Sequence, residues 1–423
     1  MEKLEDIQKE ADWCLGCKTK PCSNACPMHT NIPEFIAKVK EKNFEDAYNI
    51  LIENNLFSHV CSLVCPQEDQ CQGSCVRGIK TEPTKIGRIE AFVNDWAAKN
   101  NYKAIIPKKE TRNDVKIAVI GAGPAGLSFS YELAKSGIQC TVFEKEKVLG
   151  GILAYGIPDF RLNKDTIENI VNTLKTLGVK FKLGVELGKD ISIKDLKNEY
   201  DYIFLGIGAE LSSMYSLSAE KIDTVYDSDT FLRAYNYKNF IPNLKKVVVI
   251  GGGNVAMDSA RAAIHMGAEK VSILYRRDRE HMPAREVELE EAIQDGVEFN
   301  ELVRVDSANI ENGRLKSLHC NRTQIIDGKA VDIPNDEFDF EADTVVFAIG
   351  LKPNKELLIN EGIKLSDWGT IEVDENNQTN IENVYAGGDV VDNKSVVCKA
   401  LASGKKTAKI ILNKIWKKIF FGI

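Results

Sequence analysis

The spacing of apolar residues changes character near residue 115. Before it, segments such as residues 32–42 and 44–54 read as helices, and Pro33 suits the first turn of the former. Residues 101–114, around Pro107, read as a polar connection. From Val115 the apolar runs become short. Residues 115–120 read as a strand, followed by a glycine-rich turn and a helix to Lys135 that Gly137 stops. Residues 139–143 read as a second strand. The same grammar returns about 130 residues later: a strand at 247–250, a glycine turn, a helix to about Met266, Gly267 as its stop, and a strand at 271–275. Two more strand-then-glycine segments, Tyr202-Ile-Phe-Leu-Gly-Ile-Gly208 and Thr344-Val-Val-Phe-Ala-Ile-Gly350, are expected where the chain crosses between domains. Another, Val384-Tyr-Ala-Gly-Gly-Asp389, lies near the end.

Each repeated unit is a βαβ element of the dinucleotide-binding type. Gly121-Ala-Gly-Pro-Ala-Gly126 is G-x-G-x-x-G between strand and helix. Its first glycine permits the tight turn, the second lets a pyrophosphate approach the backbone, and the third lets helix and strand pack closely. The helix N-terminus offers N–H groups and partial positive charge to the phosphates. Glu144 closes the following strand, where an acid can bind ribose hydroxyls. The second turn, Gly251-Gly-Gly-Asn-Val-Ala256, is G-x-G-x-x-A, and its following strand ends Leu274-Tyr275-Arg276-Arg277 with no acid. Arginine suits a 2′-phosphate, because its fork of N–H donors matches phosphate oxygens. The alternative is that Arg276 and Arg277 are solvated surface charges. Read together, the first site takes FAD, the second takes NADPH, and the chemistry is hydride transfer between them.

Length adds that 423 residues hold two to four domains, at about 100–200 residues each. The net charge of −7 is unsuited to nucleic acid. No apolar run approaches the roughly 18 residues of a membrane span. The charged start, Met1-Glu-Lys-Leu-Glu-Asp, lacks the apolar stretch of a signal peptide, so a cytoplasmic protein is expected.

Eight of the 11 cysteines crowd the start of the chain. Cys14, Cys17, Cys22 and Cys26 read C-x2-C-x4-C-x3-C-P. Cys61, Cys65, Cys71 and Cys75 follow, with Pro66 after Cys65. A reducing cytoplasm makes thiol clusters metal ligands before disulfides. Cys-Pro at the end of a cluster is typical of [4Fe–4S] ligation, though the x4 gap departs from simple ferredoxins. The competing reading is two structural zinc sites in a non-catalytic scaffold. Cys140, Cys320 and Cys398 are expected as small core hydrophobes, and His29 and His59 as packing or hydrogen-bonding residues. The tail alternates apolar Ile410-Ile-Leu412, Ile415-Trp416 and Ile419-Phe-Phe421 with Lys414, Lys417 and Lys418. It reads as a terminal helix docked on its own domain or on a partner, with a membrane surface as the alternative.

The cysteine region, both glycine turns, Gly150-Gly-Ile-Leu-Ala-Tyr-Gly-Ile-Pro158 with Arg161, Tyr275-Arg-Arg with Met282-Pro-Ala284, and Ala386-Gly-Gly-Asp389 together resemble the small (beta) subunit family of glutamate synthase. The N-terminal half of dihydropyrimidine dehydrogenase and NADPH-dependent ferredoxin oxidoreductases share that pattern. The resemblance covers nearly the whole chain. It implies an α/β flavoprotein with two dinucleotide-binding domains, the FAD domain being interrupted by the NADPH domain, preceded by an α-helical domain with two [4Fe–4S] clusters. The implied spans are 1–110 for the clusters, 111–228 and 350–423 for FAD, and 229–349 for NADPH. On that pattern Gly121, Gly123, Pro124, Ala125, Gly126, Glu144, Gly151 and Arg161 contact FAD, with Gly388 and Asp389 near its ribityl chain. Gly251, Gly253, Asn254, Ala256, Arg276 and Arg277 line the NADPH site. Cys14, Cys17, Cys22 and Cys75 hold one cluster. Cys26, Cys65 and Cys71 hold the other with a non-cysteine ligand, Glu90, whose alternative reading is a surface glutamate. Cys61 then has no ligand role. The implied partner is a large catalytic subunit or a ferredoxin-like acceptor. A stand-alone NAD(P)H:acceptor oxidoreductase and a dihydropyrimidine dehydrogenase subunit remain alternatives.

Overall fold

Six helices carry the cysteine segment: α1 (Leu4–Trp13), α2 (Pro21–Ala25), α3 (Ile32–Lys40), α4 (Phe44–Asn54), α5 (Ser58–Val64) and α6 (Ile86–Lys99). Asn43 caps α4 by accepting from the Asp46 N–H at 3.1 Å. The apolar faces of α1, α3, α4 and α6 meet in one core, with Ile7, Phe35, Ile36, Leu51, Ile89 and Val93 buried together. Each such side chain contributes about 1.5–3 kcal/mol relative to exposure. The computed structural model describes residues 3–107, 109–217, 222–242, 244–392 and 396–421. The tail positions Ile419, Phe420 and Phe421 lie outside the residues whose side chains are described.

The strands, in chain order, are β1 (Arg112–Ile120), β2 (Ile138–Glu144), β3 (Lys180–Leu183), β4 (Tyr202–Leu205), β5 (Leu211–Ser212), β6 (Val225–Asp227), β7 (Lys246–Ile250) and β8 (Lys270–Tyr275). They continue as β9 (Glu298–Glu301), β10 (Val303–Glu311), β11 (Arg314–Ile326), β12 (Lys329–Glu341), β13 (Thr344–Phe347), β14 (Leu351–Lys352) and β15 (Val384–Ala386). The remaining helices are α7 (Pro124–Lys135), α8 (Ile152–Tyr155), α9 (Lys164–Thr176), α10 (Ile193–Glu199), α11 (Ser228–Asn236), α12 (Asn254–His265), α13 (Glu286–Gln294), α14 (Lys355–Asn360) and α15 (Val397–Phe421).

The chain forms two units. The first comprises Met1–Leu153, Arg161–Ala209 and Pro353–Ile423, and the second Ala154–Phe160 and Glu210–Lys352. The first unit holds the parallel sheet β15-β4-β1-β2-β3. Helices on both faces explain why Ile117–Ile120 is apolar without alternation. α15 lies against α7 so closely that a Cβ on Gly404 would stand 2.1 Å from the Ala125 carbonyl oxygen. The cysteine segment belongs to this same unit. Tyr131 Oη on α7 donates to the Ile52 carbonyl at 2.9 Å. Lys405 Nζ on α15 donates to the carbonyls of Asn54 at 2.7 Å and Met28 at 3.2 Å.

The second unit repeats the plan with the parallel sheet β6-β13-β7-β8-β9. It adds an antiparallel sheet, β10-β11-β12, that the spacing of apolar residues did not suggest. Its two hairpins turn through Asn312-Gly313 and Asp327-Gly328, all four residues at positive φ. Asn-Gly and Asp-Gly are the residues that such two-residue turns require.

Candidate functional site

In the first unit, β1 ends at Ile120 and α7 begins at Pro124, so the Gly121–Gly126 turn joins the central strand to its helix. Gly121 has φ +96°, and a Cβ there would meet the Gly206 carbonyl oxygen at 2.5 Å. A Cβ on Gly126 would stand 2.0 Å from the Gly121 oxygen, which accounts for both glycines. Gly123 is the N-cap of α7 and supplies no side-chain cap, while Pro124 takes the first helical position. The N–H groups of the first turn are therefore left for a ligand. Gly151 crosses beside Gly123: its Cβ would meet the Gly123 Cα at 2.7 Å. Ala125 is buried against Gly388, whose own Cβ would stand 2.9 Å from that of Ala125.

Glu144 is buried at the end of β2. Its Oε2 accepts from the Ala122 N–H at 2.7 Å and its Oε1 from the Glu146 N–H at 2.9 Å. Burial pushes its carboxyl above the usual range. Asp389 follows Gly388 in the loop after β15, and its Oδ1 is buried with no hydrogen-bond partner among the described residues. Burial, and then the Asp392 charge, push its carboxyl up to about 7. A buried acceptor without a donor fits a bound group carrying hydroxyls, which is what the flavin's ribityl chain offers. Arg161 opens the next segment of the unit and is half-buried.

In the second unit, Gly251 has φ +150° and a Cβ there would meet the Ala348 oxygen at 2.3 Å. Gly253 is the uncapped N-cap of α12, and nothing stands within 4 Å of a Cβ on it. That open face suits a pyrophosphate's approach. Ala256 is fully buried. Asn254 Oδ1 accepts from the Arg285 N–H at 2.9 Å, and the Ala284 N–H donates to the Gly252 oxygen at 3.0 Å. The Met282–Arg285 segment is thereby tied to the turn.

Strand register places a residue that the sequence alone did not single out. Ile120 pairs with Phe143 and Ile250 with Leu274, so Tyr275 occupies the station that Glu144 holds in the first sheet. Its ring lies against the turn, 2.4 Å from where a Gly252 Cβ would be. Arg276 is exposed, and Arg277 Nε donates to Tyr275 Oη at 3.0 Å. The arginines thus follow the Glu144 station rather than fill it. Counting back from the strand's last apolar residue would have found this.

The cysteines separate into two sets. Cys14, Cys17, Cys22 and Cys75 line one cavity with Leu15, Ile32, Ile36, Val76 and Ile86. Burial pushes the Cys22 thiol up to about 11. Of the others, Cys26 lies within electrostatic reach of Cys61 and Glu90, and Cys71 within reach of Cys26, Glu90 and Cys22. Glu90, on α6, is buried rather than on the surface and accepts from Ser58 Oγ at 2.7 Å. Burial pushes its carboxyl up to about 7, and its charge reaches Cys26 and Cys71. Cys26 and Cys65 are the C-caps of α2 and α5, extended because a proline follows each. Cys14 likewise ends α1 in extended conformation. Buried and half-buried thiols at this density are a soft-metal donor set, whose deprotonation is offset when iron binds.

Cys140 and Cys320 are core residues as expected. Cys398 is buried as expected, but it is not a plain packing residue, because Gln70 Nε2 donates to its thiol at 3.1 Å. His59 bonds Thr166 and Asp95 at 3.3 and 3.4 Å. No helix among the described residues is long and apolar enough to cross a membrane.

Two nucleotide turns of unlike chemistry, with iron–sulfur thiols in the same chain, define an NADPH-dependent flavin and iron–sulfur oxidoreductase. The pyridine nucleotide-disulphide oxidoreductase family matches residues 115–405, and the family described as dihydropyrimidine dehydrogenase domain II, 4Fe-4S cluster, matches residues 1–102. The chain is 34% identical to the glutamate synthase [NADPH] small chain of Escherichia coli, over 96% of this chain and 90% of that one. It is also 34% identical to the NADP(+)-dependent formate dehydrogenase subunit beta of Moorella thermoacetica, over 92% of this chain and 59% of the relative. The structure of Mycobacterium tuberculosis FprA in complex with NADPH shares the fold at a TM-score of 0.60 and 18% identity, over 73% of this chain and 86% of that one. The chain belongs to the family of glutamate synthase small subunits.

Proposed function

We propose that this chain oxidises NADPH and passes the electrons to a large catalytic partner, as the small subunit of a glutamate synthase. The carrying observation is that the uncapped α7 turn and both thiol sets lie in one unit. When bound, FAD takes the hydride of NADPH and the [4Fe–4S] clusters relay single electrons onward. Gly121, Gly123, Pro124, Ala125 and Gly126 cradle the FAD pyrophosphate, Glu144 holds its ribose, and Asp389 accepts from its ribityl hydroxyls. Gly151, Arg161 and Gly388 complete that site. Gly251, Gly253, Asn254 and Ala256 shape the NADPH turn, and Arg276 and Arg277 hold its 2′-phosphate. Cys14, Cys17, Cys22 and Cys75 ligate one cluster, in keeping with the cavity they share. Cys26, Cys65, Cys71 and Glu90 ligate the second, and Cys61 none.

Anaerobically purified chain should hold about eight irons and eight sulfides, two four-iron clusters' worth. Cys61→Ser should keep both clusters. The chain alone should reduce dyes with NADPH, and glutamine-dependent glutamate formation should appear only when a large subunit is added. The equal identity to a formate dehydrogenase subunit favours a second reading, a general NADPH:acceptor oxidoreductase. Full-rate ferredoxin reduction with no large-subunit association would select it. Stoichiometric zinc without iron would sink both.

A further inference from the structure

Thr84 stands one residue ahead of Lys85, the N-cap of α6, and is 1% exposed. Its Oγ1 is buried with no hydrogen-bond partner among the described residues, so it does not serve the start of the helix. The segment around it is pinned to α1. Trp13 Nε1 donates to the Glu82 carbonyl at 2.9 Å, and Glu10 Oε1 accepts from the Lys85 N–H at 2.7 Å. The Thr84 carbonyl itself accepts from the Ile86 N–H at 2.8 Å. The backbone is thus fixed on both sides of a hydroxyl that has nothing to bond. A buried polar group in that state is costly and calls for a partner that the chain alone does not supply.

Thr84 lines the same cavity as Cys14, Cys17, Cys22 and Cys75. The rest of the wall is apolar except for Arg77, whose guanidinium only donates and whose Nε is taken by the Trp13 carbonyl at 2.9 Å. The four sulfurs are therefore the side-chain acceptors that the Thr84 hydroxyl faces. As cluster ligands they are thiolates, and a hydrogen bond to an ionised acceptor is roughly twice as strong as one to a neutral acceptor. We propose that Thr84 donates its hydroxyl hydrogen to a sulfur of the first cluster and raises that cluster's potential. The proposal rests on Cys14, Cys17, Cys22 and Cys75 being the ligands. Reduction adds negative charge to a cluster, so a donor to its sulfurs favours the reduced state, which sets the direction. Cys26, Cys65 and Cys71 do not line this cavity, and the second cluster should not respond.

The test uses the full chain, purified anaerobically, with iron analysis and an EPR-monitored redox titration. Cys75→Ala tests the premise: half the iron should go, and the midpoint potential that survives belongs to the second cluster. Full iron there would remove the ligand reading and the proposal with it. Thr84→Val, which keeps the shape and removes the hydroxyl, should keep full iron. It should lower one midpoint and leave in place the one that survives in Cys75→Ala. Thr84→Ser, which keeps a donor, should restore the lowered midpoint. Unmoved midpoints in Thr84→Val overturn the proposal, as does a shift of the surviving midpoint instead. A Thr84→Ser chain that keeps the valine midpoint also overturns it, because packing then sets the potential. Loss of iron in Thr84→Val does the same, since the residue would then hold the cluster in place rather than tune it. Half the iron lost in Cys75→Ala, beside unmoved midpoints in Thr84→Val, removes the proposal alone.

Discussion

The turn after β1 and the turn after β7 share their opening and differ in their close. Both begin with a positive-φ glycine whose missing Cβ faces a carbonyl oxygen, that of Gly206 in one and of Ala348 in the other. Both put an uncapped glycine ahead of the helix. At the third position they part. Gly126 leaves no room for a Cβ, whereas Ala256 carries one and is buried without conflict. At the end of the next strand Glu144 stands in the first sheet and Tyr275 in the second. The opening of each turn is thus common to both, and on the reading proposed above the end of the next strand is where the two nucleotides are told apart.

The largest effect that tests this comparison comes from its third position. Gly126→Ala would push a methyl to 2.0 Å from a backbone oxygen, which cannot swing aside. Overpacking of this kind costs about 1–3 kcal/mol or more. The purified variant should lack flavin and melt several degrees lower. Ala256→Gly, the reciprocal change, should cost only about 0.5–1 kcal/mol of helix stability and keep NADPH binding. Flavin content and thermal melts of the two variants decide it, and full flavin in Gly126→Ala would show that the two turns are interchangeable.

A middle-sized effect belongs to the arginines. Removing Arg276 and Arg277 together should weaken NADPH about 10–100-fold, since hydrogen bonds to charged groups are worth roughly 1.5–3 kcal/mol. NADH, which lacks the 2′-phosphate, should lose far less. Arg277 also holds the Tyr275 hydroxyl, so its single replacement should disturb NADH slightly where that of Arg276 does not. Equal losses for both nucleotides would move the arginines from recognition to support of the shared turn. Titration of the bound nucleotide by fluorescence reads each case.

Much of this was legible in the sequence because its signals are local. A glycine turn between an apolar strand and a helix occupies about a dozen residues, and the β1 and β7 turns lie where that grammar puts them. The Cys-Pro pairs mark helix ends for the same reason. The β10–β12 sheet also had a local signal, in Asn312-Gly313 and Asp327-Gly328, but a weak alternation of polar residues on exposed strands obscured it. What no local signal carries is the contact of Cys398 with Gln70. It depends on α15 reaching the cysteine segment from the far end of the chain, and a lone cysteine reads as a core residue. Glu90 differs: its spacing puts it on the same face of α6 as Ile86, Val93 and Ala97, and only its charged side chain argued for the surface.

The smallest effect is a pH dependence that only the first site should show. Asp389, beside the flavin turn, has no described partner for Oδ1 and a carboxyl raised to about 7, chiefly by burial. A carboxyl ionises near pH 4 in an unfolded chain. The folded state therefore holds the proton more tightly than the unfolded one. Asp389 contributes its full stability below about pH 4 and loses it as pH rises through about 7. In FAD-free chain, wild type should lose melting temperature relative to Asp389→Asn between pH 5 and pH 8. Comparing the two chains at each pH cancels the parallel drift from Glu144 and Glu90, which burial also raises. Saturating FAD should shrink the gap between the two chains at pH 8, because ribityl donors then satisfy the carboxylate. Melts that run parallel across the range would mean that Asp389 reaches water in the folded chain, and the reading of its oxygen as the flavin's anchor would fall.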